Sequence, residues 1–293
     1  MNGRVFIIIG NGALGTGVAA LLQTLGMIPR FLSRQGACSV RATIENAPDG
    51  IFDLFLPELS PHEAYAASAV LVAVKAYQLK GALRQHLPDL PKSLPIVSIG
   101  NGAIDEDLKE IASQFPERKF RWGTTNLAVT RLGERLFSFR NPNASIAWGP
   151  LVPSIDEPEK GERLLLEVAP NIFHWEFNPL KTARKKWLFN TVLNTLAGAD
   201  QAPTNASILL HRSRLELIFR EAYQLGETHW GPWEEPSADL LGKLVHLIEL
   251  TADNENSMAQ DVRLGRRTES AYLAGISRRY AGFDLLKALH EKL

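Results

Sequence analysis

Hydrophobic residues in the first half of the chain fall in short, continuous runs that alternate with amphipathic stretches. Val5–Ile9 is such a run; a helical pattern and a second short run, Ile28–Leu32, follow it. Val70–Val74 and Leu94–Ile99 repeat the pattern further along the chain. Continuous apolar runs are typical of strands that are buried on both faces of a parallel sheet. The alternation therefore predicts an α/β fold with a doubly wound, Rossmann-type sheet.

The pattern changes in the second half of the chain. Short, turn-punctuated runs between Thr124 and Trp148 predict antiparallel hairpins at the edge of the sheet. From Glu159 onward, strand signals nearly vanish and amphipathic helical patterns dominate. These patterns cover Glu162–Val168, Lys181–Ala199, Ala206–Gly226, Ala238–Leu250, Asn254–Leu264 and Thr268–Tyr280. We predict an α/β domain at residues 1–175 and an all-helical domain at 176–293, with the connector inside Pro170–Pro179.

One of these helical patterns carries three polar residues at regular spacing. Lys186, Asn190 and Asn194 recur every four residues in an otherwise apolar helix, and we call these three residues the polar strip. At about 100° per residue their side chains share a narrow part of the helix surface. Asn is a poor helix former, and a strip that faced water would more readily consist of Glu, Lys or Gln. A solvent-facing strip and the lining of a ligand cleft both remain open.

Composition narrows the class of protein. Of 293 residues, 45% are hydrophobic and 22% charged, and the 32 Lys and Arg balance the 32 Asp and Glu. Zero net charge favours neither nucleic acid nor an acidic membrane as a partner. The single cysteine, Cys38, excludes an intrachain disulfide and a cysteine-rich metal site. No apolar run approaches the ~20 residues that span a bilayer, so we expect a cytoplasmic protein.

Metal and triad chemistry have no support in the sequence. None of the seven histidines has the HExxH spacing of a zinc site, and no GxSxG motif accompanies them. We therefore predict no metal ligands.

The turn after the first strand has the pattern of a dinucleotide-binding loop. Gly10-Asn11-Gly12-Ala13-Leu14-Gly15 follows a strand and opens a helix, and we call this segment the glycine loop. In such a loop, the first glycine permits a tight turn, the second lets the backbone approach a pyrophosphate, and the third lets helix pack on strand. A glycine turn can also serve packing alone, but this position after a strand favours a dinucleotide.

The end of the second strand indicates which dinucleotide. NAD-binding proteins commonly place Asp or Glu there for the ribose 2′-hydroxyl, whereas Arg suits a 2′-phosphate. Here the strand ends in Ser33 and Arg34, and Glu45 is the next acidic residue. The sequence thus favours NADP(H), although an arginine at a strand end often serves only solvation.

Three further polar residues stand where a ligand could meet them. Lys75 and Asn101 each follow a predicted strand at its carboxyl end, where open α/β sheets bind ligands. An ordinary loop lysine and an ordinary Asn-Gly turn are the alternatives. Glu269 follows Thr268 at a predicted helix start, where an acid also complements the helix dipole. A site role and a capping role for Glu269 therefore both stay open.

Six motifs in order resemble one known family. They are GNGALG, VKAYQ after a central strand, NG after the next, GTTN, KKWLFNTVLNTLAGA and NSMAQDVRLGRRTE. Together they span nearly the whole chain and resemble the ketopantoate reductases (2-dehydropantoate 2-reductases). The resemblance implies a Rossmann domain joined to a helical domain like that of 6-phosphogluconate dehydrogenase.

The resemblance also implies roles for individual residues. Lys186 matches the family's catalytic lysine, and Glu269 matches the glutamate beside the cofactor and the reacting oxygen. The substrate contacts would be Asn101, Asn190, Asn194, Asn205 and Ser257. The cofactor contacts would be the glycine loop, Ser33, Arg34, Lys75, Gln78, Asn101, Val129 through its backbone, and Glu269.

The implied activity is NADPH-dependent reduction of ketopantoate to pantoate, a step of pantothenate biosynthesis. The expected partner is a small 2-oxo acid, and the expected state a monomer or homodimer. The chain departs from the family at Gly100, where Gln is usual, and at Ala271 and Ala274, where Asp and Asn are common. Because of these departures, another branched 2-oxo acid or a related carbonyl compound stays open as the substrate. A protein that senses NADP without turnover is a further alternative, which the intact set of matched residues disfavours.

Overall fold

The computed structural model of the protein describes residues 4–47, 50–139 and 144–293. The chain divides into two compact units. The N-terminal unit comprises Met1–Gly100 and Ile104–Thr182, and the C-terminal unit comprises Asn101–Ala103 and Ala183–Leu293.

The N-terminal unit contains two sheets. Its strands are β1 (Val5–Ile9), β2 (Ile28–Ser33), β3 (Gly36–Cys38), β4 (Val40–Ala47), β5 (Gly50–Leu56), β6 (Ala67–Val72), β7 (Ile96–Ser98), β8 (Phe120–Thr125), β9 (Val129–Arg131), β10 (Leu136–Phe139), β11 (Ile146–Pro150) and β12 (Phe173–Trp175). Eight of them form the main sheet in the order β12-β11-β8-β7-β6-β1-β2-β3, and the other four form a second sheet, β5-β4-β10-β9.

The helices of this unit connect the strands of the main sheet. They are α1 (Ala13–Thr24), α2 (Pro61–Ala66), α3 (Leu79–His86), α4 (Asp105–Gln114) and α5 (Lys160–Val168). Short 3₁₀ helices occupy Ala76–Gln78 and Leu87–Asp89. This alternation confirms the predicted doubly wound α/β fold.

Strand β1 is an inner strand of the main sheet and marks its switch point. It pairs in parallel with β2 on one side and with β6 on the other, and β6 and β7 continue in parallel. All five residues of β1 are buried, as the continuous apolar run predicts. The chain thus reverses its direction of winding at β1, where open α/β sheets form a ligand crevice outside the carboxyl ends of the strands.

The C-terminal unit is helical, as predicted. Its helices are α6 (Pro179–Asp200), whose first residues belong to the other unit, α7 (Ala206–Leu209), α8 (Arg212–Trp230), α9 (Ser237–Leu250), α10 (Ser257–Arg263) and α11 (Asp284–His290). Two 3₁₀ helices, Ser270–Tyr272 and Ala274–Arg279, precede α11. A core of its own, which includes Trp187, Phe219 and Leu244, holds these helices together.

Several predicted elements differ from the structure. The segment Ala206–Gly226 forms two helices, α7 and α8, because the chain leaves the helical conformation at His211. The segment Thr268–Tyr280 is not one helix, because the chain breaks at Leu273 into two 3₁₀ helices. There Ser270 is tied to His290 of α11 by a side-chain hydrogen bond of 2.8 Å. The chain also forms a strand after Glu159. This strand, β12, lies inside the predicted connector and pairs with β11. An edge strand of three residues is too short to show the alternation of polar and apolar residues by which a strand is recognised in a sequence.

The predicted hairpins between Thr124 and Trp148 are only partly correct. Strands β8 and β11 pair antiparallel within the main sheet. Strands β9 and β10 also pair antiparallel, but they belong to the second sheet with β4 and β5. Residues 140–143 of the predicted region lie outside the described part of the chain.

Candidate functional site

The glycine loop is shaped by a close backbone approach. Gly10 has a φ of +106°, which disfavours any residue with a Cβ. A Cβ on Gly15 would lie 1.9 Å from the carbonyl oxygen of Gly10, whereas one on Gly12 would meet nothing within 4 Å. The loop is therefore closed on its packed side and open at Gly12, which is exposed.

The loop also leads directly into a helix. Gly12 is the N-cap of α1, and the first turn of α1 contains no acidic residue. The N-terminal N–H groups of a helix attract anions. A phosphate-bearing cofactor fits this arrangement, since the backbone is accessible at Gly12 and nothing negative precedes it.

Ser33 and Arg34 form a turn at the end of β2. The Ser33 hydroxyl donates to the Gly36 carbonyl at 3.3 Å and accepts from the Gln35 N–H at 3.1 Å. The Gln85 side chain donates to the Arg34 carbonyl at 2.8 Å, which fixes the backbone of the turn. The Arg34 side chain is exposed. The residue at the strand end is thus a cation on a fixed backbone.

Lys75 and Gln78 follow β6 on the other side of β1. Lys75 caps the 3₁₀ helix Ala76–Gln78, and the Gln78 N–H donates to the Lys75 carbonyl at 2.8 Å. A Cβ on Gly10 would lie 2.8 Å from the carbonyl oxygen of Ala73, so the glycine loop packs on the segment that leads to Lys75. The structure therefore brings the two motifs together at the switch point.

Val129 lies beside the first turns of α1. It is the first residue of β9, and its Cγ2 occupies the space next to Gly17, where a Cβ would be 2.4 Å away. Its side chain packs on the helix that the glycine loop opens. The predicted cofactor contact through its backbone stays a prediction.

The polar strip of α6 is neither exposed nor fully buried. Lys186, Asn190 and Asn194 are each half-buried, whereas Trp187 and Thr191, on the adjacent face, are buried. The preceding residue, Lys185, points elsewhere and forms an ion pair of 3.0 Å with Glu235. A simple solvent face does not explain the strip, because its three members are shielded to a similar degree.

The pKa of the Lys186 ammonium lies well below that of an ordinary lysine. Burial lowers its pKa to about 8, and attraction by the Glu269 carboxylate opposes part of that shift. The side chain keeps some exposure to solvent. An amine with this pKa is mostly protonated at neutral pH and still able to release its proton.

Glu269 lies in a constrained segment of the C-terminal unit. It is 7% exposed and precedes the 3₁₀ helix Ser270–Tyr272, whose Tyr272 N–H donates to its carbonyl at 2.9 Å. The Thr268 hydroxyl accepts from the Ser270 N–H at 3.3 Å and donates to the Leu293 carbonyl at 3.2 Å. Thr268 therefore forms a local turn before the 3₁₀ helix and is not its cap, because the N-cap residue is Glu269.

Asn194 is held by a residue that the sequence did not mark as functional. The Asn256 side chain donates to Asn194 Oδ1 at 2.8 Å, and its own Oδ1 caps α10 by accepting from the Met258 N–H at 2.9 Å. Asn directly before a helix is a known cap signal, but nothing in the sequence shows which helix it contacts. Ser257, the first residue of α10, is exposed.

The remaining predicted substrate residues differ in their surroundings. Asn205 is buried, its side chain donates to the Thr251 hydroxyl at 3.0 Å, and its N–H donates to the Asn254 carbonyl at 3.0 Å. Asn101 is half-buried, and the nearby Ala103 N–H donates to the Tyr272 carbonyl at 3.0 Å. The Asn101–Ala103 turn thus packs on the 3₁₀ helix that follows Glu269. The ligand contacts of both residues stay predictions.

Two further features are absent from the described ranges. No group of three or more His, Cys, Asp or Glu comes together there as a metal site. None of the helices described is long and apolar enough to cross a membrane.

Two family models match the chain. The model described as Ketopantoate reductase PanE/ApbA matches residues 6–153, and its C-terminal counterpart matches residues 178–282. The 2-dehydropantoate 2-reductase of Shigella flexneri is 27% identical over 277 residues, which are 94% of this chain and 87% of the relative. The enzyme of the same name from Salmonella typhimurium is 27% identical over 271 residues, 92% of this chain and 85% of the relative.

Solved structures share the fold. A 2-dehydropantoate 2-reductase from Geobacter metallireducens has a TM-score of 0.78 at 20% identity, covering 99% of this chain and 98% of that one. A D-mandelate dehydrogenase with NADH and anilino(oxo)acetate has a TM-score of 0.77 at 17% identity, covering 98% of this chain and 96% of that one. The protein belongs to the ketopantoate reductase family, whose members are oxidoreductases with a Rossmann-type domain for a nicotinamide cofactor.

Proposed function

We propose that the protein reduces a 2-oxo acid to the 2-hydroxy acid with NADPH, and that ketopantoate is the substrate and pantoate the product. The observation that carries the proposal is Lys186. It is a half-buried amine with a pKa of about 8, next to a carboxylate and on the same helix strip as two amides.

The cofactor residues of this proposal belong to the N-terminal unit. The open side of the glycine loop at Gly12 receives the pyrophosphate, and Arg34 meets the 2′-phosphate. Lys75 and Gln78 contact the cofactor from the end of β6. When bound, the nicotinamide supplies a hydride to the carbonyl carbon of the substrate.

The acid of the reaction is Lys186. Its ammonium donates a hydrogen bond to the carbonyl oxygen and transfers one proton to that oxygen as the carbon accepts the hydride. The substrate thereby gains two electrons and two hydrogens, and its C=O becomes C–OH. A pKa of about 8 suits the step, because general acids work best near the operating pH.

The other groups hold charge and orientation. The Glu269 carboxylate attracts the Lys186 ammonium and so keeps it protonated more often than burial alone would. Glu269 then accepts a hydrogen bond from the product hydroxyl. Asn190, Asn194 and Ser257 bind the carboxylate and the distal hydroxyl of the substrate.

A second candidate substrate class is another 2-oxo acid. The chain carries Ala271 and Ala274 directly after Glu269, where Asp and Asn are common in the family. A D-mandelate dehydrogenase shares the fold at a TM-score of 0.77. A different acyl substituent with the same reacting carbonyl would use Lys186 in the same way.

The test is cofactor oxidation with a panel of 2-oxo acids. Purified protein is given NADPH with ketopantoate, 2-oxoisovalerate, 2-oxoglutarate or phenylglyoxylate, the 2-oxo acid of mandelate, and the series is repeated with NADH. We expect the highest kcat/KM with ketopantoate and NADPH. A higher value with another 2-oxo acid selects the second candidate. No oxidation with any 2-oxo acid would refute the reductase proposal and favour a protein that only senses the cofactor.

A further inference from the structure

The N-terminal unit contains a cavity of about 490 Å³ next to the glycine loop. Asn11 of the glycine loop and Thr16 of α1 form one side of it, and residues of β4 and of the β9–β10 hairpin line the rest. Three of these are Arg41, Arg131 and Arg135, and we call the space the arginine cavity. No local sequence pattern indicates this cavity, because Arg41 lies about ninety residues before Arg131 and Arg135 in the chain.

The lining of the arginine cavity carries excess positive charge. Against three guanidinium groups it contains a single carboxylate, that of Glu134. Within the described ranges, the ion pairs of the protein include none of the three arginines. Arginines that no carboxylate neutralises create a positive potential, which a concave surface strengthens.

Two of the arginines are held in place by uncharged groups. Arg131 donates from Nε to the Gly133 carbonyl at 3.0 Å and from Nη2 to the Glu134 carbonyl at 2.7 Å. Its guanidinium also lies 5.7 Å from the centre of the Phe137 ring. That of Arg41 lies 4.8 Å from the centre of the Phe55 ring. Such contacts orient a guanidinium without cancelling its charge.

The cavity adjoins the helix end that already favours anions. The Thr16 hydroxyl donates to the Asn11 carbonyl at 3.5 Å, so the two lining residues belong to one turn of backbone. No acidic residue lies in the first turn of α1. Planar guanidinium groups pair with phosphate oxygens in a bidentate way, which makes phosphate the anion that this set recognises best.

We propose that the arginine cavity binds a phosphate group through Arg41, Arg131 and Arg135. Two sources can supply it. One is a phosphate of the dinucleotide itself, and this source rests on the proposed function. The other is a separate phosphate-bearing small molecule. Arg34 is not part of the lining, so the cavity is a different place from the strand end that the sequence marks for the 2′-phosphate.

The test is direct binding, measured by calorimetry without substrate or turnover. Inorganic pyrophosphate, NADPH and NADH are titrated at low ionic strength, because salt screens exposed charges. The protein is compared with the triple variant Arg41→Gln/Arg131→Gln/Arg135→Gln. Arg220→Gln, an exposed arginine of α8, is the control. We expect the triple variant to lose about tenfold or more in pyrophosphate affinity and the control to lose none.

The cofactor titrations identify the source of the phosphate. Weaker NADPH binding with unchanged NADH binding assigns the cavity to the 2′-phosphate, and equal weakening of both assigns it to the pyrophosphate bridge. Unchanged binding of both, with pyrophosphate binding lost, assigns it to a separate ligand. Pyrophosphate affinity that is the same in the triple variant as in the wild type would overturn the proposal, whatever the enzyme turns over.

A single substitution guards against a folding defect in the triple variant. Arg135 enters the hydrogen-bonded structure through its carbonyl, which accepts from the Thr43 N–H at 2.8 Å, and its side chain is exposed. Arg135→Glu should therefore keep the thermal midpoint and still weaken pyrophosphate binding. Unchanged pyrophosphate affinity in this folded variant would also count against the site.

Discussion

The glycine loop and the polar strip of α6 are held in place by different features. Close backbone contact fixes the loop, since a Cβ on Gly15 would meet the Gly10 carbonyl at 1.9 Å. The strip sits on a regular helix whose backbone tolerates most side chains, and only the chemistry of Lys186, Asn190 and Asn194 sets it apart. Changes at Gly15 should therefore alter folding, whereas changes in the strip should alter chemistry.

Replacement of the strip's lysine should give the largest effect. Lys186→Met keeps most of the side-chain volume but removes the proton donor, so kcat should fall about 10²–10⁴-fold, the range for loss of a general acid. NADPH affinity, measured by fluorescence titration, should stay within about twofold of the wild type, because the cofactor residues are unchanged.

Lys185→Met is the matched control for that variant. Lys185 is the neighbouring lysine, but it pairs with Glu235 at 3.0 Å. Its replacement should leave kcat within about twofold, since a partly exposed ion pair contributes little. If Lys186→Met retained activity within about tenfold, or roughly 1.4 kcal/mol of barrier, Lys186 would not be the acid.

Alanine substitutions at two glycines of the glycine loop should separate an effect on stability from an effect on cofactor binding. Gly15→Ala forces the Gly10 carbonyl away from the new Cβ and should lower the free energy of unfolding by about 1–3 kcal/mol, as overpacking does. Gly12→Ala places its Cβ in open space, so stability should change by less than about 0.5 kcal/mol while NADPH affinity falls. Urea unfolding without cofactor measures the first effect. Equal losses of stability in the two variants would contradict the packing argument.

The end of β2 should determine the choice of cofactor. Arg34→Gln removes a cation from an exposed position on a fixed turn. We expect NADPH affinity to fall about tenfold, the value of one hydrogen bond to a charged group, and NADH affinity to stay the same. Arg84→Gln on α3, an exposed arginine paired with Glu110, should change neither. If Arg34→Gln still preferred NADPH, Arg34 would not be the residue that binds the 2′-phosphate. The arginines of the arginine cavity would then be the next residues to test.

The smallest effect should be a displaced pH profile. In the wild type, kcat should fall as pH rises through about 8, because Lys186 must be protonated to act as the acid. Glu269 raises the pKa of Lys186, so Glu269→Gln should move this fall to lower pH. Glu235→Gln removes the partner of Lys185 instead and should leave the profile in place. A profile that moved to higher pH in Glu269→Gln would contradict the charge argument.

Much of the N-terminal unit could be predicted from sequence because its signals are local. The run Val5–Ile9 is a buried parallel strand, and the glycine loop opens a helix at Ala13 as expected. The strands between Gly36 and Leu56 were missed. Their residues mix polar and apolar types, and the pairing of β4 with β10, about ninety residues away, is a long-range contact that no local period encodes.

The candidate site shows the same limit. The spacing of Lys186, Asn190 and Asn194 is a property of one helix, and the sequence shows it directly. The contact of Asn256 with Asn194 joins residues in two helices, and the arginine cavity joins three separate segments. Side-chain patterns predict such residues one at a time, but only the fold shows which of them meet.

The cap of α10 decides which end of the Asn194 amide a ligand meets. The Met258 N–H, which can only donate, fixes Asn256 Oδ1 as an acceptor. Asn256 must then offer its amino group, so Asn194 has to receive that bond on its oxygen. Asn194 keeps its own NH₂, with two protons to donate, and one lone pair on its oxygen. A backbone N–H of another helix thus fixes the orientation of the Asn194 amide, and its two N–H donors suit a carboxylate or a hydroxyl oxygen of a ligand.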